Sequence, residues 1–177
     1  MKRNFLLAII IGFIVIMANG VCATTILYDL SNLGGTTWEY TYTVTNDSMS
    51  SAIEEFTIYF NLGSYDNLAA TSSLASWDQL AINPDPSLPA DGFYDAFTLA
   101  TGIAPGATES GFSVSFDWLV AGIPGSQLFD VFDPITFDVV DSGNTAVIPE
   151  PGTFLLLGSG IIGLIGIRKR LRMKRLS

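Results

Sequence analysis

Seven carboxylates and one tryptophan are the side chains whose types and spacing point to chemistry. Asp85, Asp91 and Asp95 surround the longest turn-rich stretch, and Asp130, Asp133, Asp138 and Asp141 lie near the end of the central region. Groups of hard oxygen ligands suit calcium, and a loop held by Asp91-Gly92 and Asp95, with Asp85 beside it, is where such an ion would sit. No Asp-x-Asp-x-Asp-Gly run is present, and carboxylates alternating along strands need not converge. The opposing reading is a solvated acidic surface. Trp77 stands in Ser76-Trp77-Asp78-Gln79, with Asn83 close by, while Tyr59 and Tyr94 fall on the polar side of their predicted strands. A flat ring beside amides and carboxylates is the usual arrangement for sugar binding: the ring stacks on the apolar face of a pyranose, and the polar groups bond its hydroxyls. The opposing reading makes Trp77 part of a core. The ladder Thr41, Thr43, Thr45 is superficially like an ice-binding face. Thr on the wet face of a strand is ordinary β-propensity, and one ladder is too small.

Catalysis lacks its usual side chains. The chain of 177 residues has no His and a single Cys, Cys22, and all eight Lys and Arg lie at the termini, at positions 2–3 and 168–175. Nucleophile–base pairs and His- or Cys-ligated metals are thereby removed. A glycosidase built on two carboxylates would need a deep cleft, and no long insertion supplies one. The reading is a non-enzymatic protein with no cofactor other than the candidate calcium. From residue 24 to 148 there are 16 acidic residues and no basic ones. A body of that charge repels phosphate backbones and cannot clamp an anionic substrate, so nucleic acid is not a partner.

The elements that must position these residues are strands. Trp38, Tyr40, Tyr42 and Val44 alternate with Glu39, Thr41, Thr43 and Thr45. Phe56, Ile58, Phe60 and Leu62 alternate with Glu55, Thr57, Tyr59 and Asn61, and Phe112, Val114, Phe116 and Trp118 with Ser113, Ser115 and Asp117. Period-2 alternation of this kind marks strands with one buried face. Further strands are expected at residues 25–29, 68–71, 93–99, 128–132 and 135–140, separated by Gly-, Pro- and Asn-rich turns. Seven or eight short strands and no 3.6-residue stripe predict an all-β, immunoglobulin-like two-sheet β-sandwich over residues 24–146, with a jelly roll as the competing arrangement. Residues 141–148 read as a linker.

Both ends read as targeting segments. Lys2 and Arg3 precede a nearly unbroken apolar run over residues 5–17, and Val21-Cys22-Ala23 offers small or medium residues to a signal peptidase. Residues 1–23 are therefore a predicted signal peptide cut between Ala23 and Thr24, with an uncleaved anchor and a lipidated Cys22 as alternatives. At the other end, Pro149-Glu150-Pro151 is followed by an apolar stretch that ends at Ile167 and then by the basic tail 168–177. The stretch makes a helix of about 21 Å at 1.5 Å per residue, shorter than a hydrocarbon core of ~30 Å. A transmembrane helix over 153–167 therefore needs Thr153 and snorkelling Arg168 and Lys169 to complete it. Arg168, Lys169 and Arg170 act as a stop-transfer signal and hold the tail in the cytoplasm, which places the body outside. The two prolines forbid helix just before the span.

The tripartite end at residues 147–177, with Pro149-Glu150-Pro151, the Gly-punctuated Leu/Ile run and Arg168 to Arg175, resembles the PEP-CTERM sorting domain of exported bacterial proteins. The resemblance implies recognition near Pro149, Glu150 and Pro151 by an exosortase, with cleavage and transfer there. It also implies delivery to the cell surface or extracellular matrix, in association with exopolysaccharide. The tail departs from the pattern by running on through Leu171, Met173 and Leu176-Ser177. The leading reading is a non-enzymatic surface or matrix protein, transiently anchored in the membrane. A displayed carbohydrate-binding module, calcium-assisted or not, and a plain membrane-anchored domain are the alternatives.

A body of 16 carboxylates and no cations opposes its own folding by self-repulsion. Its melting temperature is expected to rise between 0.01 M and 0.1 M salt, as the Debye length falls from ~30 Å to ~10 Å. Thermal unfolding of residues 24–149 followed by circular dichroism across that range checks this, and a flat response contradicts it.

Overall fold

The computed structural model describes residues 24–149. The predicted signal segment with Ala23, and Glu150, Pro151, the apolar span and Arg168, Lys169 and Arg170, lie outside the described residues. The chain divides into two compact units, Met1–Ala146 and Val147–Ser177.

The body is the expected all-β, two-sheet sandwich, but it has ten strands. They are β1 (Thr25–Gly34), β2 (Thr37–Thr45), β3 (Glu55–Phe60), β4 (Tyr65–Ala70), β5 (Trp77–Ile82), β6 (Gly92–Thr98), β7 (Thr108–Trp118), β8 (Leu128–Phe132), β9 (Val139–Asn144) and β10 (Ala146–Val147). One sheet runs β10-β1-β2-β7-β4 and the other β5-β6-β3-β8-β9. The three alternating strands read from sequence are present as β2, β3 and β7, and each sits inside its sheet. That is where a strand has an apolar face to bury and two neighbours to pair with.

The core is aromatic and joins the sheets. Tyr40 stacks on Phe116 at 4.9 Å between ring centres, and Phe56 meets Phe112 edge-on at 5.0 Å. Trp77 packs on Phe112 at 5.0 Å and on Phe56 at 5.9 Å. Tyrosines in such a core must bring partners for their hydroxyls, and Gln127 supplies them. Its Nε2 donates to Tyr65 Oη at 3.2 Å and to the Gly125 carbonyl, and its Oε1 accepts from Tyr42 Oη at 3.2 Å and Thr145 Oγ1 at 3.0 Å. Tyr40 Oη also donates to the Gly125 carbonyl, at 2.6 Å. Burial therefore holds the hydroxyls of Tyr40 and Tyr42 protonated far beyond the ordinary range. Among the described residues no buried side-chain nitrogen or oxygen lacks a partner.

One turn depends on a glycine. Gly102 has φ +67°, and a Cβ there would lie 2.3 Å from the Ile53 carbonyl oxygen, with which Ile103 forms a bridge. Only glycine meets both demands.

Four local expectations are corrected. Residues 77–82, absent from the expected strands, form β5. Residues 135–140 are not one strand: Asp133 Oδ1 accepts from the Ile135 and Thr136 amides at 2.8 and 3.0 Å, making an Asx turn through Pro134, and β9 begins only at Val139. The supposed linker 141–148 contains most of β9, and Thr145 is buried against Gln127. Tyr94 faces inward in β6, fully buried, instead of outward. Its strand carries Phe93 and Phe97 on the other face, so both faces look apolar and alternation cannot choose between them.

Candidate binding face

The sequence-predicted sites do not assemble as predicted. Trp77 is only 5 % exposed and its ring is packed between Phe56 and Phe112, so no face is free to stack on a sugar. Asp85, Asp91 and Asp95 do not converge: no group of three metal-ligating side chains exists among the described residues. Asp85 accepts from the Ser87 amide at 2.7 Å, Asp91 from the Leu62 amide at 2.7 Å, and Asp95 from Thr57 Oγ1 at 2.7 Å. Each carboxylate fastens a different segment. The four later aspartates likewise form no metal group.

The register builds a different site, on the outer face of β5-β6-β3-β8-β9. Pairing aligns Asp78, Phe97, Glu55, Phe132 and Val139 in one row across the strands. The next row is Leu80, Asp95, Thr57, Asp130 and Ser142. A third begins Ile82, Phe93, Tyr59. Leu80, Ile82, Phe97, Leu128 and Val139 are exposed, while Tyr59, Phe93, Asp95, Asp130 and Phe132 are half-buried. The first row thus alternates carboxylates with the rings of Phe97 and Phe132, the third is apolar and aromatic, and the row between them carries Asp95, Thr57, Asp130 and Ser142. The outer face of the first sheet is unlike it. There Thr71 Oγ1 donates to Glu39 Oε1 at 2.7 Å, Thr37 Oγ1 to Asp117 Oδ1 at 2.8 Å, and Thr45 and Thr108 share a bond of 3.0 Å. The Thr41, Thr43, Thr45 ladder belongs to that hydroxyl-and-acid face.

A cavity of about 290 Å³ opens on the β3–β8–β9 part of the second face, lined by Tyr59, Leu128, Phe129, Asp130, Ser142, Gly143 and Asn144. Tyr59 Oη donates to Asp130 Oδ2 at 3.0 Å. Burial, then the bond to Asp130 and its charge, push the Tyr59 hydroxyl up to about 12. Gly143 packs directly on the Phe129 ring, and a Cβ there would come within 2.9 Å of it, so any larger residue displaces that ring. The Asx turn after β8 presents Ile135 and Phe137, 85 % and 73 % exposed. Phe137 has φ +59°, a conformation rare for a bulky residue. Tyr59 was visible in the sequence as an aromatic on a polar face. The cavity was not, because it depends on how β9 pairs with β8.

No cation balances the acids on this face. Burial raises the Asp95 carboxyl above its ordinary value and the Asp78 charge adds to this, while the hydrogen bond from Thr57 pulls it down. Glu55 is raised as well, by burial and then by Asp95.

Residues 147–170 match the PEP-CTERM protein-sorting motif. That motif marks the chain as an exported substrate of an exosortase. No curated protein matches the chain. Among solved structures, a cohesin module from a family 33 glycoside hydrolase of Clostridium perfringens superposes with a TM-score of 0.45 at 8 % identity, covering 73 % of this chain and 100 % of that one. A family 3b carbohydrate-binding module from Clostridium clariflavum gives 0.40 at 7 % identity over 74 % and 100 %. The chitin-binding domain of Chi18aC from Streptomyces coelicolor gives 0.38 at 19 % over 60 % and 90 %. These loose likenesses assign this chain neither ligand nor partner.

The raised Asp95 carboxyl sets a pH dependence. Its folded form holds a proton more tightly than the unfolded chain, so stability rises as pH falls from neutrality toward the ordinary carboxylate range. Asp117 and Asp133 are lowered by hydrogen bonds and act in the opposite sense, at and below that range. Asp95→Asn, which keeps an acceptor for Thr57, is expected to raise the melting temperature at pH 7 and to flatten its rise between pH 7 and about 5. A variant with unchanged stability at pH 7 and an unchanged profile contradicts this origin.

Proposed function

We propose that this is a non-enzymatic protein of the cell surface or extracellular matrix, with the PEP-CTERM motif at residues 147–170 as the observation that carries the reading. Residues 1–23 direct export and are removed. The apolar span holds the chain with its basic tail inside, and an exosortase acts near Pro149, Glu150 and Pro151. The folded body then leaves the membrane. Replacing Pro149-Glu150-Pro151 by three alanines in the native host is expected to keep the chain in the membrane fraction, with the wild type at the surface or in the medium. An identical distribution of the two contradicts exosortase sorting and leaves a plain anchored domain.

Once released, the body binds a neutral, hydroxyl-rich polymer through the outer face of β5-β6-β3-β8-β9. The exposed Leu80, Ile82 and Phe97 fit the apolar faces of sugar rings, and the cavity gathers Tyr59, Asp130, Ser142 and Asn144 as donors and acceptors for hydroxyls. With no Lys, Arg or His in residues 24–149, anionic polymers are repelled. Residues 24–149 are expected to be retained on cellulose or chitin particles and not on alginate beads. Tyr59→Ala and Phe97→Ser are each expected to weaken retention at least about tenfold, and Thr43→Ala, on the opposite face, to leave it unchanged. Absence of retention on both neutral polymers, or equal retention by all variants, overturns the reading.

A further inference from the structure

The strongest site outside this face lies at the first described residue. The Thr24 amide donates to Asp141 Oδ2 at 2.9 Å, and Ser48 Oγ donates to the same oxygen at 2.9 Å. The Ser142 amide donates to Asp141 Oδ1 at 2.9 Å, and Thr24 Oγ1 lies 3.3 Å from Ser48 Oγ. Thr24 is buried and Asp141 half-buried. Thr24 leads into β1 of the first sheet, Asp141 stands in β9 of the second, and Ser48 lies between β2 and β3. The cluster therefore ties the two sheets together at one end of the sandwich.

In the uncut chain the donor from Thr24 is a neutral peptide N–H. Cleavage after Ala23 breaks that peptide bond: water gives its hydroxyl to the Ala23 acyl group and a hydrogen to the Thr24 nitrogen, and the new amine takes a proton from solvent. A carboxylate already accepting from three donors then faces an ammonium at hydrogen-bond distance. It is the only amine in residues 24–149, which contain no Lys.

We propose that Asp141 is a preformed receptor for the mature N-terminus, and that removal of the signal segment converts a neutral hydrogen bond into the body's internal ion pair, clamping β1 to β9. The inference rests on cleavage between Ala23 and Thr24. Charge-assisted bonds of this kind are about twice as strong as neutral ones, and here one positive charge enters a region with 16 negative ones. The Asp141 carboxyl is already poised for it: burial pushes it up, but the hydrogen bonds from Thr24, Ser48 and Ser142 outweigh that and leave it below its ordinary value. The acidic residues on the neighbouring elements are Asp47, next to Ser48, Asp29 on β1, and Asp130 on β8, which pairs with Ser142 and so faces away from Asp141. All are negative, and no positive side chain lies in residues 24–149 to oppose the ammonium.

The sign follows from the amine. An α-amino group titrates ordinarily at about 7.7–8.0. Raised in the folded state, it contributes stability fully below that range and loses it as pH climbs through the raised value. Every core residue lies between Ile26 and Val131, so residues 24–149 contain what the sandwich needs to fold. The test compares that chain, freed from a leading tag so that it begins at Thr24, with the same chain extended by Ala23. Acylation by acetic anhydride, read by mass as a function of pH, reports the α-amine alone. The Thr24 chain is expected to reach half-maximal reactivity at least about one pH unit above the ordinary value, and Asp141→Asn to return it there. Its melting temperature is expected to exceed that of the Ala23 chain at pH 7, with the difference gone above about pH 10. An ordinary amine titration in the Thr24 chain, or equal stability of the two chains at pH 7, overturns the inference. A native protein whose first residue is not Thr24 overturns the cleavage reading instead, and leaves this titration unaffected.

Discussion

A folded body without a single basic side chain must hold its carboxylates by other means, and that constraint shapes the rest of the molecule. From residue 24 to 148 there are 16 acids and no Lys or Arg, so no side-chain ion pair can form. Hydroxyls, amides and backbone N–H groups take the place of cations. Thr37 and Asn67 hold Asp117, Thr57 holds Asp95, Tyr59 holds Asp130, and Thr71 holds Glu39. Backbone amides hold Asp85, Asp91 and Asp133. Each bond serves a carboxylate and fixes a segment, so the acids act as fasteners between strands and turns. Neutral donors satisfy lone pairs but cancel no charge, and repulsion among the acids persists.

The core follows the same rule in neutral form. Six tyrosines and twelve phenylalanines give the chain large rings to bury, and rings with hydroxyls need partners inside. Gln127 meets Tyr42, Tyr65, Thr145 and the Gly125 carbonyl from one buried position. The sheets then differ in what they show to water. One presents threonines, serines and acids bonded to each other; the other presents exposed Leu80, Ile82 and Phe97 among half-buried carboxylates, and a cavity. That asymmetry is the ground for the proposed binding face.

Sequence reasoning reached the fold class and the three inner strands because β2, β3 and β7 each have one apolar and one polar face. It failed where that contrast is lost. β6 carries Tyr94 inward and Phe93 and Phe97 outward, so alternation points both ways. β5 reads Trp-Asp-Gln-Leu-Ala-Ile, with Leu80 and Ile82 exposed and Trp77 buried, the reverse of what polarity suggests. The candidate sites failed for a related reason. Asp85, Asp91 and Asp95 are close in sequence, but each is claimed by a different local donor, whereas the residues that do share a surface are brought together by register from residue 55 to residue 144. The Asp-Pro pair at 133–134 was the available signal for the turn that ends β8. The C-terminal motif was fully legible, since its information is linear.

Sorting and fold thus come from separate parts of the chain: a linear motif at residues 147–170, and a cation-free sandwich before it. The most direct measurement is the intact mass of the protein recovered from membrane, surface and medium fractions of its native host. A chain that begins at Thr24 and ends near residues 149–152, bare or carrying added glycan or lipid mass, is the predicted result. A mature chain that still holds the apolar span and basic tail and stays in the membrane contradicts it.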